Sequence, residues 1–453
     1  MQVMSWASLL SSARLGASSA RSAPMAGRSE FQRDFDRVVF SSAFRRLQDK
    51  TQVFPLAESD YVRTRLTHSL EASSVGRSLG TLVAAGLQGR YPEIAALSIS
   101  PSDVGAIVAA ACLAHDIGNP PFGHSGEDAI RLFFEGHPAG QALLEPLSPR
   151  EQADFLQFEG NAQGFRILTR LQNPDNHGGL QLTLATLGAF TKYPRGALFE
   201  GESGPVSLRK HGFLAAEEEL FTEVATGLAL APRGTQAWYR HPLAYLVEAA
   251  DDICYHVVDV EDAYRLGILR YEEVETVLTG IIADTDIADR LARMRDDKGR
   301  IAYLRARAIN TLVEQVADHF LAKEAQLRQG QHDVPLLSEV KAARGMEDLR
   351  TLGEERIYMA PPVVEIEAAG FEVLAGLLAI FTGAVEARAA NRLNAKGRMH
   401  LKLIPPQFLE PQGGVHADPY QRLLRVTDFV SGMTDSYAVS LYKKLTGISL
   451  PGG

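Results

Sequence analysis

Residues 109–127 read AAACLAHDIGNPPFGHSGE, and their order decides the fold class. Gly105 to Leu113 is apolar on every side, which is the composition of a buried helix. That helix runs into an adjacent His115-Asp116 pair. The stop signals Gly118, Asn119, Pro120 and Pro121 follow, then a second histidine, His124, and an acid, Glu127. A histidine and a carboxylate leaving a dry core each need a hydrogen bond, a counter-charge or a metal, because burying either one unpaired is costly. The metal alternative is the sharpest, since its missing ligands must be found elsewhere in the chain.

Upstream, a helix starting near Arg63 places His68, Ala72, Val75, Leu79 and Leu82 at steps of four and three, so His68 heads a core-facing stripe. Downstream, a helix after His241-Pro242 carries the stripe Leu243, Val247, Ala250, Cys254 and Val258. Asp251 borders that stripe, and Tyr255 and Asp259 project from the same side. Taken singly, His68 reads as a satisfied core histidine and Asp251 as half of a buried salt bridge. Together, His68, His115, Asp116 and Asp251 offer two imidazoles and two carboxylates from three helices. That mixture suits one divalent metal ion, with positions left for water and substrate.

The remaining chain is also helical in pattern. Glu30 to Gln52 reads as one or two arginine-rich helices with a break at Ser41-Ser42, and 155–171 as a single helix. Asn173 to Gly179 is a turn cluster, and Leu180 to Phe190 returns to an apolar helical pattern. Charged helical pattern runs from Arg270 to about Arg328, and a polar break spans 329–334. Tyr358 to Gly370 has the composition of a short strand. With no repeat and no sustained alternation, the chain is expected to be mainly α.

At 453 residues, 45% hydrophobic and 22% charged, the chain can bury a large core. A net charge of −9 argues against a general nucleic-acid surface but leaves room for a local basic pocket. No continuous apolar run reaches the roughly 18 residues of a membrane helix. Cys112 and Cys254 sit within apolar helical patterns and read as core residues, which fits a reducing, cytoplasmic setting. Residues 1–29 hold no acid, three arginines (Arg14, Arg21, Arg28) and many Ser and Ala. That composition overlaps with transit peptides, but the plainer reading is a partly ordered arm.

Several segments together resemble one family. They are FQRDFDRVVFSSAFRRLQDKTQVFPL (31–56), RTRLTHSLEASSVGRSLG (63–80), ACLAHDIGNPPFGHSGE (111–127) and FEGNAQGFRIL (158–168). LTLATLGAFTKYP (182–194), RHPLAYLVEAADDICYHVVDVEDA (240–263) and SGMTDSYAVSLYKKL (431–445) complete the set. In these the chain resembles HD-domain phosphohydrolases of the bacterial deoxyguanosine-triphosphate triphosphohydrolase (dNTPase) family. The resemblance implies a mainly α HD phosphohydrolase fold with additional helices and a C-terminal helical region. The expected division is an arm at 1–29, the metal-dependent core at 30–270 and a helical region at 271–453 that completes the fold and offers an oligomer interface.

The resemblance also implies an activity: hydrolysis of dGTP or several dNTPs to deoxynucleoside and tripolyphosphate. His68, His115, Asp116 and Asp251 would bind one metal ion (Mn2+, Mg2+, Fe2+, Co2+ or Zn2+), with His124 and Glu127 at the scissile bond. The 5′ alkoxide is a poor leaving group and needs a proton, for which His124 is the best candidate. Glu127, three residues on, would orient that imidazole and keep it protonated. A triphosphate carries about four negative charges, so further cations are required. Arg65, three residues before His68, is the first choice, and Lys192 and Lys210 are weaker ones.

By resemblance, Gln52 would bond the sugar 3′-OH. Tyr255 and Asp259 would line the sugar side, with Tyr255 excluding a 2′-OH, and Glu159 and Asn161 would face the same cavity. In animal relatives the position of Asn119 holds another catalytic histidine; here the burden falls on His124 and Glu127. A homo-oligomer, from dimer to hexamer, is implied, with a dNTP or single-stranded DNA as a possible effector. Two alternatives remain open at this point: another HD phosphohydrolase (a nucleotidase or phosphodiesterase), or a nucleotide-sensing regulator without turnover.

Overall fold

The structure, a computed structural model, describes residues 3–17, 27–54, 62–199, 201, 204–282 and 286–448. Arg21 lies outside them. The chain is 67% helical, and strand pairing among the described residues is limited to isolated bridges such as Thr51 with Thr64.

Three helices set the frame: α1 (Glu30–Val39), α2 (Arg65–Gln88) and α3 (Pro101–Ala114). Ser100 and Asp103 form a capping box at the start of α3, and Pro101 occupies its first turn. From Ile107 to Ala114 every side chain of α3 is buried, as its unbroken apolar run requires. α2 and α3 run antiparallel in close contact. A Cβ at Gly80 would lie 2.9 Å from the Val104 carbonyl oxygen, and one at Gly105 would lie 2.4 Å from Thr81 Oγ1. No larger residue permits this approach, and it brings the head of α2, with His68, beside the end of α3, with His115.

α2 begins at Arg65 rather than Arg63, because the Thr64 N–H is taken by Thr67 Oγ1 and the Arg63 guanidinium pairs with Glu71, Glu261 and Asp262. Its buried stripe runs on through Val83 to Leu87, while Leu82 is 45% exposed. A period of 3.6 carries the core-facing side past position 82 by the fifth turn. The helix expected over 155–171 is interrupted. A helix over Pro149–Leu156 gives way to a break, then to the short helix Gly160–Arg166 and a π-turn over Ile167–Leu171.

α4 (Gly123–Gly136) carries His124 and Glu127 in its first turn. α5 (Leu184–Phe190) packs against α3, and α6 (Ala244–Arg265) against α2. α7 (Asp297–Arg328) closes the same core, to which Trp6, Leu9, Leu10 and Leu15 from the segment read above as an arm also contribute. Trp6 Nε1 donates to Glu324 Oε1 of α7 at 2.7 Å.

The segment expected as a short strand is the start of α8 (Pro361–Ala389). Val363, Val364 and Ile366 gave the strand signal. Prolines at its first two positions and a buried series through Val373, Leu374, Leu377, Leu378 and Phe381 favour helix, and packing outweighs β-propensity. α8, α9 (Pro419–Ser431) and α10 (Asp435–Leu445) enclose a second core with Phe122, Phe133, Phe134 and Phe155. α8 is the one described helix long and apolar enough to cross a membrane, and half of its apolar window is buried inside the protein.

Candidate active site

His68, on the first turn of α2, is 2% exposed, and His115 closes the C-terminal end of α3. Asp251 comes from the middle of α6. Ligand atoms of these three residues lie within 4.8 Å of one another. Asp251 Oδ1 is 3.1 Å from His68 Nε2 and 3.2 Å from His115 Nε2. His115 Nδ1 bonds the Cys112 carbonyl at 2.6 Å, which fixes that nitrogen as a donor and turns Nε2 toward the cluster. Nε2 is buried with no hydrogen-bond partner. Asp116 Oδ1 lies 3.4 Å away, held by Asn119 Nδ2, and Asp116 Oδ2 accepts from Arg65 at 2.6 Å.

Burial disfavours a charged His115, yet the Asp116 and Asp251 carboxylates outweigh it and push its pKa up to about 9. Burial, with Asp251 and Glu248 alongside, pushes the Asp252 carboxyl up to about 8. The corner thus holds more carboxylate than its own cations neutralise. A convergent set of imidazole nitrogen and carboxylate oxygen with an orphaned Nε2 fits a divalent cation.

His115, Asp116 and Asp251 border a cavity of about 290 Å3, while His68 stands behind them and is not part of its lining. Of the residues singled out in the sequence, Gln52, Arg65, His115, Asp116, Asn119, His124, Glu127, Glu159, Asn161, Lys192, Lys210, Asp251 and Tyr255 line it. Each expected cation is already paired: Arg65 with Asp116, Lys192 with Asp251 Oδ2 at 2.6 Å and Lys210 with Glu159 at 3.2 Å. Gln52 Oε1 is buried with no hydrogen-bond partner, so the cavity also offers a vacant acceptor.

Two expectations change in detail. Among the described residues no hydrogen bond joins Glu127 to His124. Glu127 Oε1 instead accepts from the Gly160 N–H at 2.6 Å, capping the helix that begins there. His124 stands exposed to the solvent of the cavity yet is flanked by protein. Desolvation, with Lys210 and Arg65 nearby, lowers its pKa. Asp259 does not line the cavity. It is buried and accepts from the Tyr358 hydroxyl at 3.1 Å. Tyr358 stacks on Tyr255 with ring centroids 5.4 Å apart. The Tyr255–Tyr358 pair walls a second cavity of about 230 Å3 that adjoins the first and shares Gln52, Arg65 and His124 with it.

Sequence reasoning missed Tyr193, Glu248, Asp252 and His256, which also line the larger cavity. Glu248 and Asp252 share the face of α6 that carries Asp251 and Tyr255, so the helical period held that signal. Tyr358 had none, since its segment read as a strand.

A family model described as a phosphohydrolase-associated domain matches residues 338–444. The chain is 45% identical to a deoxyguanosinetriphosphate triphosphohydrolase-like protein of Synechocystis, over 99% of this chain and 100% of that one. It is 41% identical to a protein of the same description from Pseudomonas aeruginosa, again over 99% and 100%. A deoxyguanosinetriphosphate triphosphohydrolase of Salmonella paratyphi A is 31% identical over 92% of this chain and 94% of its own. Identity at this level along nearly the whole of each chain fixes the lineage: the chain belongs to the deoxyguanosinetriphosphate triphosphohydrolase-like family.

Proposed function

We propose that this chain is a metal-dependent hydrolase that cleaves a deoxynucleoside triphosphate between the α-phosphorus and the 5′ oxygen, releasing the deoxynucleoside and tripolyphosphate. One observation carries the reading: His115 and Asp251, which gather with His68 into one donor set, line the same cavity as Arg65, Lys192, Lys210 and His124. A divalent ion held by His68, His115, Asp116 and Asp251 would supply Lewis acidity at an α-phosphate oxygen and make a water a stronger acid. The geometry suits any of Mn2+, Mg2+, Fe2+, Co2+ or Zn2+.

Arg65, Lys192 and Lys210 offset the charge of the triphosphate, and each can exchange its carboxylate partner for a phosphate oxygen. His124 donates its proton to the leaving 5′ oxygen. Its pKa is low in the free protein, and the negative charge of bound substrate raises it, so the acid is loaded by the molecule it acts on. The vacant Gln52 Oε1 accepts from the sugar 3′-OH, and Tyr255, held flat by Tyr358, packs beneath the sugar and leaves no room for a 2′-OH. Glu127 acts through Gly160, keeping the Asn161 segment against the cavity. The same reading takes the chain as a homo-oligomer.

The test is to incubate metal-loaded protein with each dNTP and with GTP and to separate the products by anion exchange. Deoxynucleoside and tripolyphosphate from dNTPs, and none from GTP, is the expected result. Monophosphate with pyrophosphate would show that the wrong bond was assigned. Silence with single and mixed dNTPs, metal bound, would favour a sensor.

A further inference from the structure

We propose that Asp435, at the start of α10 and separated along the chain by 384 residues from Thr51 and 313 from Phe122, is a positioning residue that holds the Gln52 loop and the His124 turn in register across the cavity. This rests on the proposed function, because it assigns work to those two residues. Asp435 is 1% exposed, and its two carboxylate oxygens point at different loops. Oδ2 accepts from the Thr51 N–H at 2.9 Å and from the Thr51 hydroxyl. Oδ1 accepts from the Phe122 N–H at 3.1 Å. Thr51 precedes Gln52, and Phe122 lies two residues before His124.

The second loop needs such a partner. Phe122 sits at φ 64° and Gly123 at φ 60°, two successive left-handed residues, and Phe122 leads into α4 without a side-chain cap of its own. A bulky residue at positive φ persists only where its surroundings hold it. At Gly123 a Cβ would also lie 2.7 Å from an Arg65 nitrogen, so a side chain there would press on the Arg65 guanidinium. Parallel links reinforce the clamp. The buried Lys50 ammonium donates to the Asn119 and Ser431 carbonyls, and Ser436 Oγ donates to Asp49 at 2.8 Å. Beyond the wall that Tyr358 gives the smaller cavity, the C-terminal region therefore completes the site without contributing a metal donor or lining the larger cavity.

The experiment compares Asp435→Ala, the near-isosteric Asp435→Asn and the control Leu441→Ala, which trims the buried face of the same helix away from both loops. Steady-state kinetics, Mn2+ titration and hydrogen exchange of peptides spanning 49–54, 119–126 and 106–114 are measured on each full-length protein. Misplacing reacting groups by about 1 Å costs on the order of a hundredfold. Asp435→Ala should therefore lose about a hundredfold in kcat and Asp435→Asn about tenfold, with faster exchange at 49–54 and 119–126 only and Mn2+ affinity within about twofold. Leu441→Ala should lower Tm and keep kcat within about twofold. Thr51→Val, which cuts a link only on the Gln52 side, should raise KM more than it lowers kcat.

Unchanged kcat in Asp435→Asn, or exchange no faster at the two loops, overturns the assignment. So does a loss in Leu441→Ala equal to that in Asp435→Asn, which would make the effect one of helix stability. Should Asp435→Ala fail to fold, Asp435→Asn decides. Exchange needs no substrate, so a wild-type protein inactive on every dNTP would sink the proposed function and leave the clamp to be judged on exchange alone.

Discussion

The metal corner and the His124 turn share one cavity but are held in different ways. Two donors of the metal corner, His68 and Asp251, stand on helices of the first core, and His115 and Asp116 on the turn that ends α3; close neighbours orient them, His115 by the Cys112 carbonyl, Asp251 by Lys192, Asp116 by Arg65 and Asn119. The His124 turn has a left-handed entry, rests on the second core through Phe122, and takes its carboxylate partner from Asp435. Rigid helices suffice to gather ligands, since side chains one turn apart share a face. A general acid needs finer placement than a helix end provides, and here the C-terminal third supplies it. Metal affinity should therefore be a property of the first core, and the acid step a property of both.

The hardest test of that contrast is Asp251→Ala. It removes the oxygen lying between both imidazoles, so Mn2+ binding by calorimetry should vanish and turnover should fall by about a thousandfold or more. His124→Ala should separate the two regions: activity falls by about 10²–10⁴-fold while metal binding stays at the wild-type level. In the wild type, kcat/KM should decline with rising pH through the lowered pKa of free His124, and kcat should decline at higher pH, because bound triphosphate raises that pKa. Coincident profiles, or a profile unchanged in His124→Gln, would remove His124 as the acid.

Phe381→Ala strikes the second core alone. Its ring is fully buried against Phe429, so stability to denaturant should drop by about 3–5 kcal/mol, with metal affinity retained under native conditions. Loss of metal binding there would mean that the two cores do not act separately.

The smallest effect concerns Asp154, whose carboxyl is pushed up to about 7 by burial in the second core, even though Tyr420 and the Ala215 N–H favour its charged form. The folded protein keeps that proton between pH about 4 and 7 while the unfolded chain loses it. The stabilising contribution is thus complete below about pH 4 and is lost as the pH rises through 7. Asp154→Asn should flatten the Tm decline between pH 5 and 8 by on the order of 2 °C, read by scanning calorimetry.

Much of the metal corner was legible because it is local. An all-apolar run ending in His115-Asp116, and stripes that place His68 and Asp251 at core-facing positions, follow from the helical period alone. Leu82 shows where that reasoning drifts, since a small phase error grows along 24 residues of α2. The strand expected near Tyr358 failed for another reason: β-branched residues carry a weak local preference, and the packing of a 29-residue helix overrides it.

By itself, the sequence determined the mainly α class, the family resemblance and the residue types that gather at the cavity. These depend on identity and spacing, which the chain carries directly. Only the tertiary structure decided that Glu127 caps Gly160 instead of meeting His124, that Asp259 serves Tyr358, and that Asp435 reaches both Thr51 and Phe122. A buried carboxylate must find donors to offset its lost hydration, and which donors it finds is set by helices that meet in space after long separation along the chain.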